Sequence, residues 1–346
     1  MSPLTPTGLP PIAGYHPTTL LDWPGRLAAI VFLPRCNFRC PFCHAGHLLG
    51  DPAETVPLEA VLAHLADREG WLDGVVVCGG EPTLWPTLGD LCRRFRDAGL
   101  PVKLDTNGTR PDVLAALLDA GLVDAVAMDV KAPLDARYAR AAGVEAADLQ
   151  TLRRSIALLM ASTAEVEFRT TVVPTLLAEA EIQAIGETLA AAAASGATPP
   201  TARPVRDAPG ATGGLSASAV AIPGRPVRAA PIPVARGVSA PPALAPIGAR
   251  PHDLAKGLCG TEKGSGKGAG MAGTGMGAGM RAGTGAGTAV WTLQPFEPAG
   301  ALDPAFRTVA PYPPDRLAAM ADLGRRYVSR CRLRGESGAD GRTHGG

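Results

Sequence analysis

The sequence AAIVFLPRCNFRCPFCH, residues 28–44, joins a short apolar run to a loop that holds three cysteines. Residues 28–33 are all apolar, which is typical of a strand buried on both faces of a parallel sheet. The loop after it places Cys36, Cys40 and Cys43 within eight residues, although the whole chain has only seven cysteines. Because α/β proteins bind ligands at the carboxyl ends of their strands, we expect this loop to form one wall of a site.

Outward from this stretch, apolar runs alternate with amphipathic stretches of helical spacing. Further strands are predicted at 74–80, 101–108, 124–133, 166–174 and 290–296. Helices are predicted at 58–69, 88–99, 111–121, 179–196 and 314–327. This alternation predicts an α/β fold with a parallel sheet. Six strand–helix units are too few for a closed eight-stranded barrel, so either a partial (β/α)6 barrel or an open doubly wound sheet is expected.

Polar and glycine-rich elements recur where the predicted strands end. They are Gly79-Gly80-Glu81-Pro82 after the second strand, Asp105-Thr106-Asn107-Gly108 after the third, Asp129 and Lys131 at the fourth, and Arg169 within the fifth. The carboxyl ends of parallel strands meet at one edge of a sheet, so these residues are expected to lie near the three cysteines.

The composition changes sharply between residues 196 and 288. This segment is rich in Gly, Ala and Pro, lacks aromatic residues and carries a charge of +7, which leaves −6 for the rest of the chain. Such a composition cannot bury enough apolar surface to offset the entropy of ordering, so we predict a disordered, low-complexity insertion. It interrupts a single domain made of residues 15–195 and 289–332, and residues 333–346 are predicted to be a disordered tail.

Charge and cysteine usage restrict the functional class. The formal net charge of +1 gives no general argument for a nucleic-acid partner. No amino-terminal signal peptide is predicted, and no apolar stretch is long enough to span a membrane. An odd number of cysteines, four of them scattered singly, is unlike a secreted disulfide framework. These features predict a cytoplasmic protein with one metal-binding cluster.

A disulfide knot, a zinc site and an iron–sulfur cluster are the candidate explanations for three such close cysteines. Structural zinc sites usually close four ligands from two pairs, and no second pair follows here. His44 directly follows Cys43 and is badly placed to join the same tetrahedron. Three thiolates favour a four-iron cluster in which one iron has no protein ligand and can bind a substrate or cofactor.

Two motifs carry a resemblance to a known family. Cys36, Cys40 and Cys43 match the C-x3-C-x-aromatic-C signature of the radical S-adenosylmethionine superfamily, with Phe42 as the aromatic residue, and GGEP at 79–82 matches its second motif. The stretches at 18–44, 103–109, 128–133, 168–174 and 291–296 resemble the glycyl-radical-enzyme activating branch. Within that branch, the chain is most similar to activating proteins of anaerobic ribonucleoside-triphosphate reductase.

This resemblance implies cofactors, partners and a radical reaction. The three cysteines would hold a 4Fe–4S cluster whose open iron binds S-adenosylmethionine. A flavodoxin- or ferredoxin-type donor would supply one electron, and cleavage of the cofactor would yield a 5′-deoxyadenosyl radical. That radical would take a hydrogen atom from a glycine of the partner enzyme, which the resemblance implies is an anaerobic ribonucleotide reductase. No side chain would act as a catalytic acid or base, since the cofactors carry the chemistry.

The resemblance also implies roles for individual residues. Phe42 would pack near the adenine, and Gly79 and Gly80 would let the backbone approach the methionyl part. Glu81 would accept a hydrogen bond from the methionyl ammonium, and Lys131 would neutralise the carboxylate. The remaining implied contacts are Asp105, Thr106 and Asp129, which would face the cofactor and could hold a monovalent cation, together with Arg169.

Other interpretations stay open at this level. Arg35 stands where the family often has glycine, and Ala45 where it often has asparagine, and neither position is a cluster ligand. The alternative enzyme is a radical S-adenosylmethionine protein acting on a small molecule, such as a carboxy-deazaguanine synthase-like protein. A non-enzymatic alternative is a metal-binding protein that uses its basic insertion to bind RNA. Asp129 and Lys131 could also form a simple surface ion pair.

Overall fold

A computed structural model describes residues 8–195 and 289–335. These residues belong to one structural unit, formed from Met1–Pro199 and Ser265–Gly346. The predicted insertion at 196–288 lies outside the described residues, as does the predicted tail from residue 336 onward. Leu333, the first residue of that predicted tail, belongs to the last strand of the sheet.

The six predicted strands are confirmed, and two more strands join them. The strands are β1 (Gly14–Thr19), β2 (Ala28–Leu33), β3 (Gly74–Gly79), β4 (Val102–Thr106), β5 (Ala125–Asp129), β6 (Glu165–Val172), β7 (Val290–Pro295) and β8 (Cys331–Leu333). β1 pairs with β2 in the antiparallel sense, and every later pair is parallel. The pattern of apolar runs did not reveal β1 and β8, because one has an exposed, polar sequence and the other is three residues long.

Strand order decides between the two predicted architectures. The eight strands lie side by side in the order in which they occur along the chain. A doubly wound sheet reverses its order at a switch point, and this sheet has no reversal. Every crossover therefore leads one step in the same direction, as in a barrel. The fold is the partial barrel, with β1 and β8 as its edge strands.

Helices cover one face of the sheet. They are α1 (Leu58–Ala66), α2 (Leu88–Asp97), α3 (Pro111–Asp119), α4 (Arg137–Ala142), α5 (Leu149–Ala161), α6 (Glu179–Ala194) and α7 (Pro314–Arg325). The predicted helices are confirmed, and α4 and α5 fill the connection between β5 and β6. Gly99 and Gly121 are the last residues of two predicted helices, and both adopt positive φ just beyond the ends of α2 and α3, as is common where a helix stops.

The two faces of the sheet have different cores. Alternate strand residues such as Val77, Leu104 and Met128 pack with the helices in the larger cluster. The opposite face, which we call the inner face, holds a small cluster of Trp23, Ala28, Ile30, Val76 and Ala125. The remainder of the inner face is therefore available to polar groups.

The loop between β1 and β2 closes the amino end of the inner face. Trp23 is buried there and donates to Glu165 through Nε1 at 3.2 Å, and Lys103 Nζ donates to the carbonyl of Asp22. Arg334, just after β8, contacts the same loop through Asp22 Oδ1 at 3.1 Å. Ligands must therefore reach the inner face from its carboxyl edge or its open side. In the described part of the chain, no helix has the length and apolarity to cross a bilayer.

Candidate functional site

The cysteine loop, residues 34–45, leaves the carboxyl end of β2. Its three cysteines are free thiols in this structure, and Cys40 is buried while Cys36 and Cys43 are partly exposed. Among the described residues, no three His, Cys, Asp or Glu side chains converge closely enough to hold one metal ion. A four-iron cluster makes a different demand, because each thiolate binds a separate iron. Three soft sulfur donors on one short loop fit that demand.

Two predicted cofactor contacts lie close together, Phe42 within this loop and Lys131 beside it. Lys131 Nζ is 6.0 Å from the centroid of the Phe42 ring. Burial raises the pKa of the Cys40 thiol to about 12, and the positive charge of Lys131 acts in the opposite direction. Burial likewise raises the pKa of Cys36. Phe42, Lys131 and the thiols therefore occupy one neighbourhood, as the strand-end pattern predicted.

Gly79, the last residue of β3, packs against the end of β2, and Gly80 packs against the start of the cysteine loop. A Cβ at Gly79 would lie 2.2 Å from the carbonyl oxygen of Leu33, and one at Gly80 would lie 2.1 Å from that of Arg35. Gly79 also has a φ of +126°, which L side chains rarely adopt. The protein's own backbone thus fills the space that we had expected the cofactor's methionyl part to require. Direct contact between these glycines and the cofactor stays a prediction.

This packing predicts that Gly80→Ala will displace the cysteine loop. The added Cβ would meet backbone atoms of Arg35 and Cys36, which cannot move aside as the end of a flexible side chain could. The three thiols should therefore be displaced. We expect iron affinity after anaerobic reconstitution to fall about 10- to 100-fold, as for other changes that misorient metal ligands. Gly50→Ala is the matched control, because nothing lies within 4 Å of its added Cβ. Equal iron content in the two variants would contradict the prediction.

Arg35 holds a strained conformation immediately before the first cysteine. Its φ is +68°, and no other non-glycine residue in the described ranges has a positive φ. Its guanidinium pairs with Asp51, with Nε 2.5 Å from Oδ1, and lies 5.2 Å from the centroid of the Trp85 ring. Glycine adopts this backbone conformation freely, which gives a physical reason for the glycine often found here in the family.

A comparison of Arg35→Gly with Arg35→Val isolates this backbone strain. Both variants lose the contacts to Asp51 and Trp85, but only valine keeps a Cβ in the left-handed region. We expect Arg35→Val to be less stable than Arg35→Gly by about 1 kcal/mol. Urea unfolding under anaerobic conditions would measure the difference. Equal stability would mean that the loop relaxes out of the left-handed conformation.

Glu81 is fully buried, and its carboxylate joins the turns after β3 and β4. Oε1 accepts hydrogen bonds from the backbone N–H and hydroxyl of Thr83, at 3.1 and 2.5 Å, and from the Thr106 hydroxyl at 2.8 Å. Oε2 accepts from the backbone N–H of Asn107 at 2.6 Å. Burial raises the pKa of Glu81, although these hydrogen bonds oppose the shift.

The side chains of Glu81 and Thr106 contact each other, and both are buried. Contact of Glu81 with the methionyl ammonium and of Thr106 with the cofactor stays a prediction. A buried carboxylate is stabilised by nearby donors, and the two turns supply four. Both residues connect the turns after β3 and β4 at the edge of the site.

A second polar link, not predicted from the sequence, ties the cysteine loop to the turn after β4. Asn37 Nδ2 donates to Thr109 Oγ1 at 2.9 Å, and Asn107 Nδ2 donates to Asn37 Oδ1 at 2.8 Å. Gly143 packs closely against a different part of the cysteine loop, since a Cβ there would lie 2.0 Å from the carbonyl oxygen of Arg39. The position of Asn37 inside the cysteine motif was the only sequence signal for this link.

His44 links the cysteine loop to the segment that follows β7. Its Nε2 lies 2.6 Å from the carbonyl oxygen of Glu297, in the segment after β7. The backbone N–H of Asp303 also donates to the carbonyl of Pro41 at 2.9 Å. His44 therefore helps to hold the loop in place, as expected for a neighbour of the three cysteines.

A row of alternating charges runs from the cysteine loop across the inner face, and we call it the charge row: Lys131, Asp129, Arg169, Asp105 and Lys103. Lys131 Nζ lies 2.8 Å from Asp129 Oδ2. Arg169 bridges the two carboxylates, with Nε 2.9 Å from Asp129 Oδ1 and Nη1 2.8 Å from Asp105 Oδ2. Burial acts to raise the pKa of Asp129, but Arg169 and Lys131 outweigh it and hold that pKa below its usual range. Asp129 and Lys131 are thus part of a network rather than an isolated surface pair.

One atom of the charge row has unused capacity. Asp105 Oδ1 is buried and has no hydrogen-bond partner among the described residues, and Lys103 Nζ is 3.6 Å away. Native proteins rarely leave a buried carboxylate oxygen unsatisfied, so a donor or a cation from a ligand fits there. The monovalent cation implied by the resemblance stays a prediction.

Lys103 and Glu167 extend the polar inner face beyond the predicted site residues. Lys103 Nζ lies 3.5 Å from Glu167 Oε2. Burial acts to raise the pKa of Glu167, but Lys103 and Arg169 hold it below its usual range. The sequence did contain a signal for this surface, because Lys103 and Asp105, like Glu167 and Arg169, alternate in strands that are otherwise largely apolar.

Comparison with known proteins identifies the class that this fold and site define. The profile of the Radical SAM superfamily matches residues 30–187, from the middle of β2 into α6. A Methanocaldococcus jannaschii protein whose name describes a glycyl-radical enzyme activating enzyme is 32% identical over 184 residues, which cover 51% of this chain and 75% of that protein. The chain belongs to the Radical SAM superfamily and is an enzyme of that class. The family uses a 4Fe–4S cluster and S-adenosylmethionine.

Two further similarities are to other proteins. A 7-carboxy-7-deazaguanine synthase of Methanopyrus kandleri is 33% identical over 130 residues, which cover 32% of this chain and 51% of that protein. A solved structure of TYW1 with a lysine-pyruvate adduct bound aligns with a TM-score of 0.38 at 20% identity, over 48% of this chain and 61% of that one. The chain thus spans three quarters of the first relative and about half of the second.

Proposed function

We propose that this chain is an activase that generates a glycyl radical on a partner enzyme, and that the partner is an anaerobic ribonucleotide reductase. The observation that carries the proposal is the similarity to the M. jannaschii protein, which extends over 184 residues at 32% identity. The motifs KLDTNGT, MDVKAP and FRTTVVP, at 103–109, 128–133 and 168–174, add the resemblance to reductase-activating proteins.

In this proposal each part of the site has a task. Cys36, Cys40 and Cys43 would hold three irons of the cluster, and the packing of Gly80 against Arg35 would hold the loop that carries them. When bound, the cluster and S-adenosylmethionine supply the one-electron chemistry that removes a hydrogen atom from the substrate, with the electron coming from a flavodoxin- or ferredoxin-type donor. Lys131 would receive the cofactor's carboxylate, a charge-assisted contact.

The remaining assignments concern the cofactor's surroundings. Phe42 would cover an apolar part of S-adenosylmethionine, since its ring already lies at the edge where Lys131 stands. Asp105 Oδ1 would accept a donor or a monovalent cation. Glu81 and Thr106 would act as positioning residues, and Arg169 would hold Asp105 and Asp129 apart at fixed places. The free thiols are also consistent with the reducing cytoplasm, where we place the protein.

A second candidate is synthesis of a small heteroaromatic product. The observation that favours it is the 33% identity to the M. kandleri 7-carboxy-7-deazaguanine synthase over 130 residues. Binding of 7-carboxy-7-deazaguanine to the reconstituted enzyme, measured by calorimetry under anaerobic conditions, would test it. Tight binding of this base, together with no radical on the reductase, would favour the second candidate.

The proposed function is tested by anaerobic incubation of the reconstituted enzyme with S-adenosylmethionine, a reductant and the candidate reductase. The expected result is a glycyl radical detected by electron paramagnetic resonance and located in the reductase chain. A reductase whose glycine is replaced by alanine is the control and should give no such signal. Cleavage of S-adenosylmethionine without any radical on the reductase would overturn the proposal.

A further inference from the structure

The short helix α4 packs against the cysteine loop and brings a buried tyrosine to it. The ring centroids of Tyr138 and Phe38 lie 6.3 Å apart, in an edge-to-face arrangement. The backbone N–H of Arg39 donates to the carbonyl of Ala142, the last residue of α4, at 2.9 Å. Tyr138 is fully buried, and no task in the proposed function involves it. Two separate contacts therefore fix this side chain beside the loop that carries the three cysteines.

The hydroxyl of Tyr138 is a hydrogen-bond donor without an acceptor. It accepts a long hydrogen bond from the backbone N–H of Lys131 at 3.4 Å, but its own O–H donates to no group among the described residues. The Asp129 carboxylate, whose charge acts on this hydroxyl, already accepts from Arg169 at Oδ1 and from Lys131 at Oδ2. Native proteins rarely leave a buried donor without a partner, so this O–H calls for an acceptor.

The sulfur of Cys40 is an acceptor without a donor in the same neighbourhood. Cys36 Sγ accepts from the backbone N–H of Phe38 at 3.4 Å, whereas the described part of the chain supplies no donor to the buried Cys40 Sγ. Burial raises the pKa of the Tyr138 hydroxyl, Lys131 lowers it, and the charge of a Cys40 thiolate adds to the increase. The hydroxyl and the sulfur therefore lie within range of each other's charge.

The chemical state of the sulfur decides how strongly it accepts a hydrogen bond. A neutral thiol is a weak acceptor, and the structure records no hydrogen bond between Tyr138 and Cys40. Binding to iron removes the proton of a thiol and leaves negative charge on the sulfur, and charged acceptors form the stronger hydrogen bonds. A donor beside Cys40 is thus most useful when that residue is a cluster ligand.

We infer that the Tyr138 hydroxyl donates a hydrogen bond to the Cys40 sulfur when that sulfur binds iron, and that this bond raises the reduction potential of the cluster. Tyr138 is a positioning residue, because it acts on the cluster through Cys40. Hydrogen bonds to the sulfurs stabilise the reduced state, which carries one more negative charge, so the cluster becomes easier to reduce. The inference rests on the proposed assignment of Cys40 as a cluster ligand, but it holds for any substrate of the enzyme.

The test is a redox titration of the anaerobically reconstituted protein without S-adenosylmethionine, followed through the electron paramagnetic resonance signal of the reduced cluster. Tyr138→Phe removes the hydroxyl and keeps the ring that packs on Phe38. The equilibrium constant for reduction should fall about tenfold, because a hydrogen bond to a charged group is lost. For a one-electron couple this corresponds to a midpoint potential lower by about 59 mV. Iron content should equal that of wild type, since all three cysteines remain.

Tyr15→Phe is the matched control for the loss of a tyrosine hydroxyl. The Tyr15 hydroxyl lies 2.5 Å from His64 Nδ1, so it too has a polar contact, but this contact joins β1 to α1 and does not involve the cysteine loop. The potential of the Tyr15→Phe cluster should therefore equal that of wild type. Equal potentials for the two variants, with full iron content in both, would overturn the inference.

A second substitution decides the question if Tyr138→Phe does not retain its cluster. Replacement of Tyr138 by a tyrosine with fluorine beside the hydroxyl adds one small atom and makes the O–H a stronger donor. The potential should then rise above that of wild type, and a potential that stays the same or falls would contradict the inference.

Failure of the proposed function has a separate signature. The reductase would acquire no radical, while the difference in potential between wild type and Tyr138→Phe would persist. A wild-type protein that binds no iron–sulfur cluster would overturn both the inference and the proposed function.

Discussion

Replacement of Cys40 by serine is expected to reduce the formation of 5′-deoxyadenosine from S-adenosylmethionine to background. Cys40 is the middle cysteine of the loop and is buried, so no solvent ligand can easily take its place. A serine hydroxyl is a harder and far less acidic donor than a thiol, and iron–sulfur clusters prefer soft thiolates. The measurement combines product chromatography with iron content and the visible absorption of the anaerobically reconstituted protein.

Cys92→Ala is the matched control for this variant. Cys92 is also buried and also has a pKa raised to about 12 by burial, but it lies on α2 among the helix-side core residues. Its replacement should cost packing energy of about 1 kcal/mol and leave iron content unchanged. If Cys40→Ser produced 5′-deoxyadenosine as Cys92→Ala does, the assignment of the cluster to this loop would be lost.

Arg169→Gln is expected to have the largest effect on folding. Arg169 is nearly buried and is the shared partner of Asp105 and Asp129, so its removal leaves two carboxylates short of positive charge. Breaking a buried ion pair by removing one partner typically costs about 3–5 kcal/mol. We therefore expect the free energy of unfolding, measured by urea denaturation, to fall by about that amount.

Arg137→Gln provides the matched control for the loss of an arginine. Arg137 also contacts two acidic groups, Asp135 and Glu181, with N–O distances of 2.6 Å, but its side chain is 45% exposed. Exposed pairs contribute at most about 1 kcal/mol, because water and salt screen them. Similar losses for the two variants would mean that the charge row is not a buried network.

Arg169→Gln should also change how the free energy of unfolding depends on pH. Burial acts to raise the pKa of Asp129, and Arg169 and Lys131 together hold it below its usual range. A depressed pKa contributes stability above the unfolded value of about 3.9, and that contribution is lost as the pH falls through the native pKa. Without Arg169 the depression is smaller, so Arg169→Gln should lose stability less steeply than wild type below about pH 4. Urea unfolding at a series of pH values would measure both slopes.

The strands and the cysteine loop could be predicted because their signals are local. The apolar runs at 28–33 and 74–80 form strands that are buried on both faces of the sheet. A short apolar run that helical stretches separate from the next run is typical of such a strand. Phe42 lies between two of the cysteines in the sequence, and placing Lys131 beside them needed only the rule that the carboxyl ends of parallel strands share an edge. β1 escaped prediction because its exposed sequence, GYHPTT, has no apolar pattern.

The tasks of several residues could not be predicted, because they depend on distances between separate parts of the chain. Glu81 is buried because Thr106 and Asn107, some 25 residues later, supply donors. Gly80 is required because the carbonyl of Arg35 occupies the place of a side chain. A sequence motif gives the residue type at each position, but it does not show which atoms that residue contacts in the folded chain.

The α/β fold and a three-cysteine loop suited to an iron–sulfur cluster can both be read from the amino-acid sequence. Both follow from periodicity and spacing within short stretches, where chain connectivity limits the geometry. The burial of Glu81, the pairing of Arg169 with two carboxylates and the polar character of the inner face became visible only in the folded structure. Those features depend on which strands become neighbours, and the energies of buried charges and hydrogen bonds are set by partners that only folding brings together.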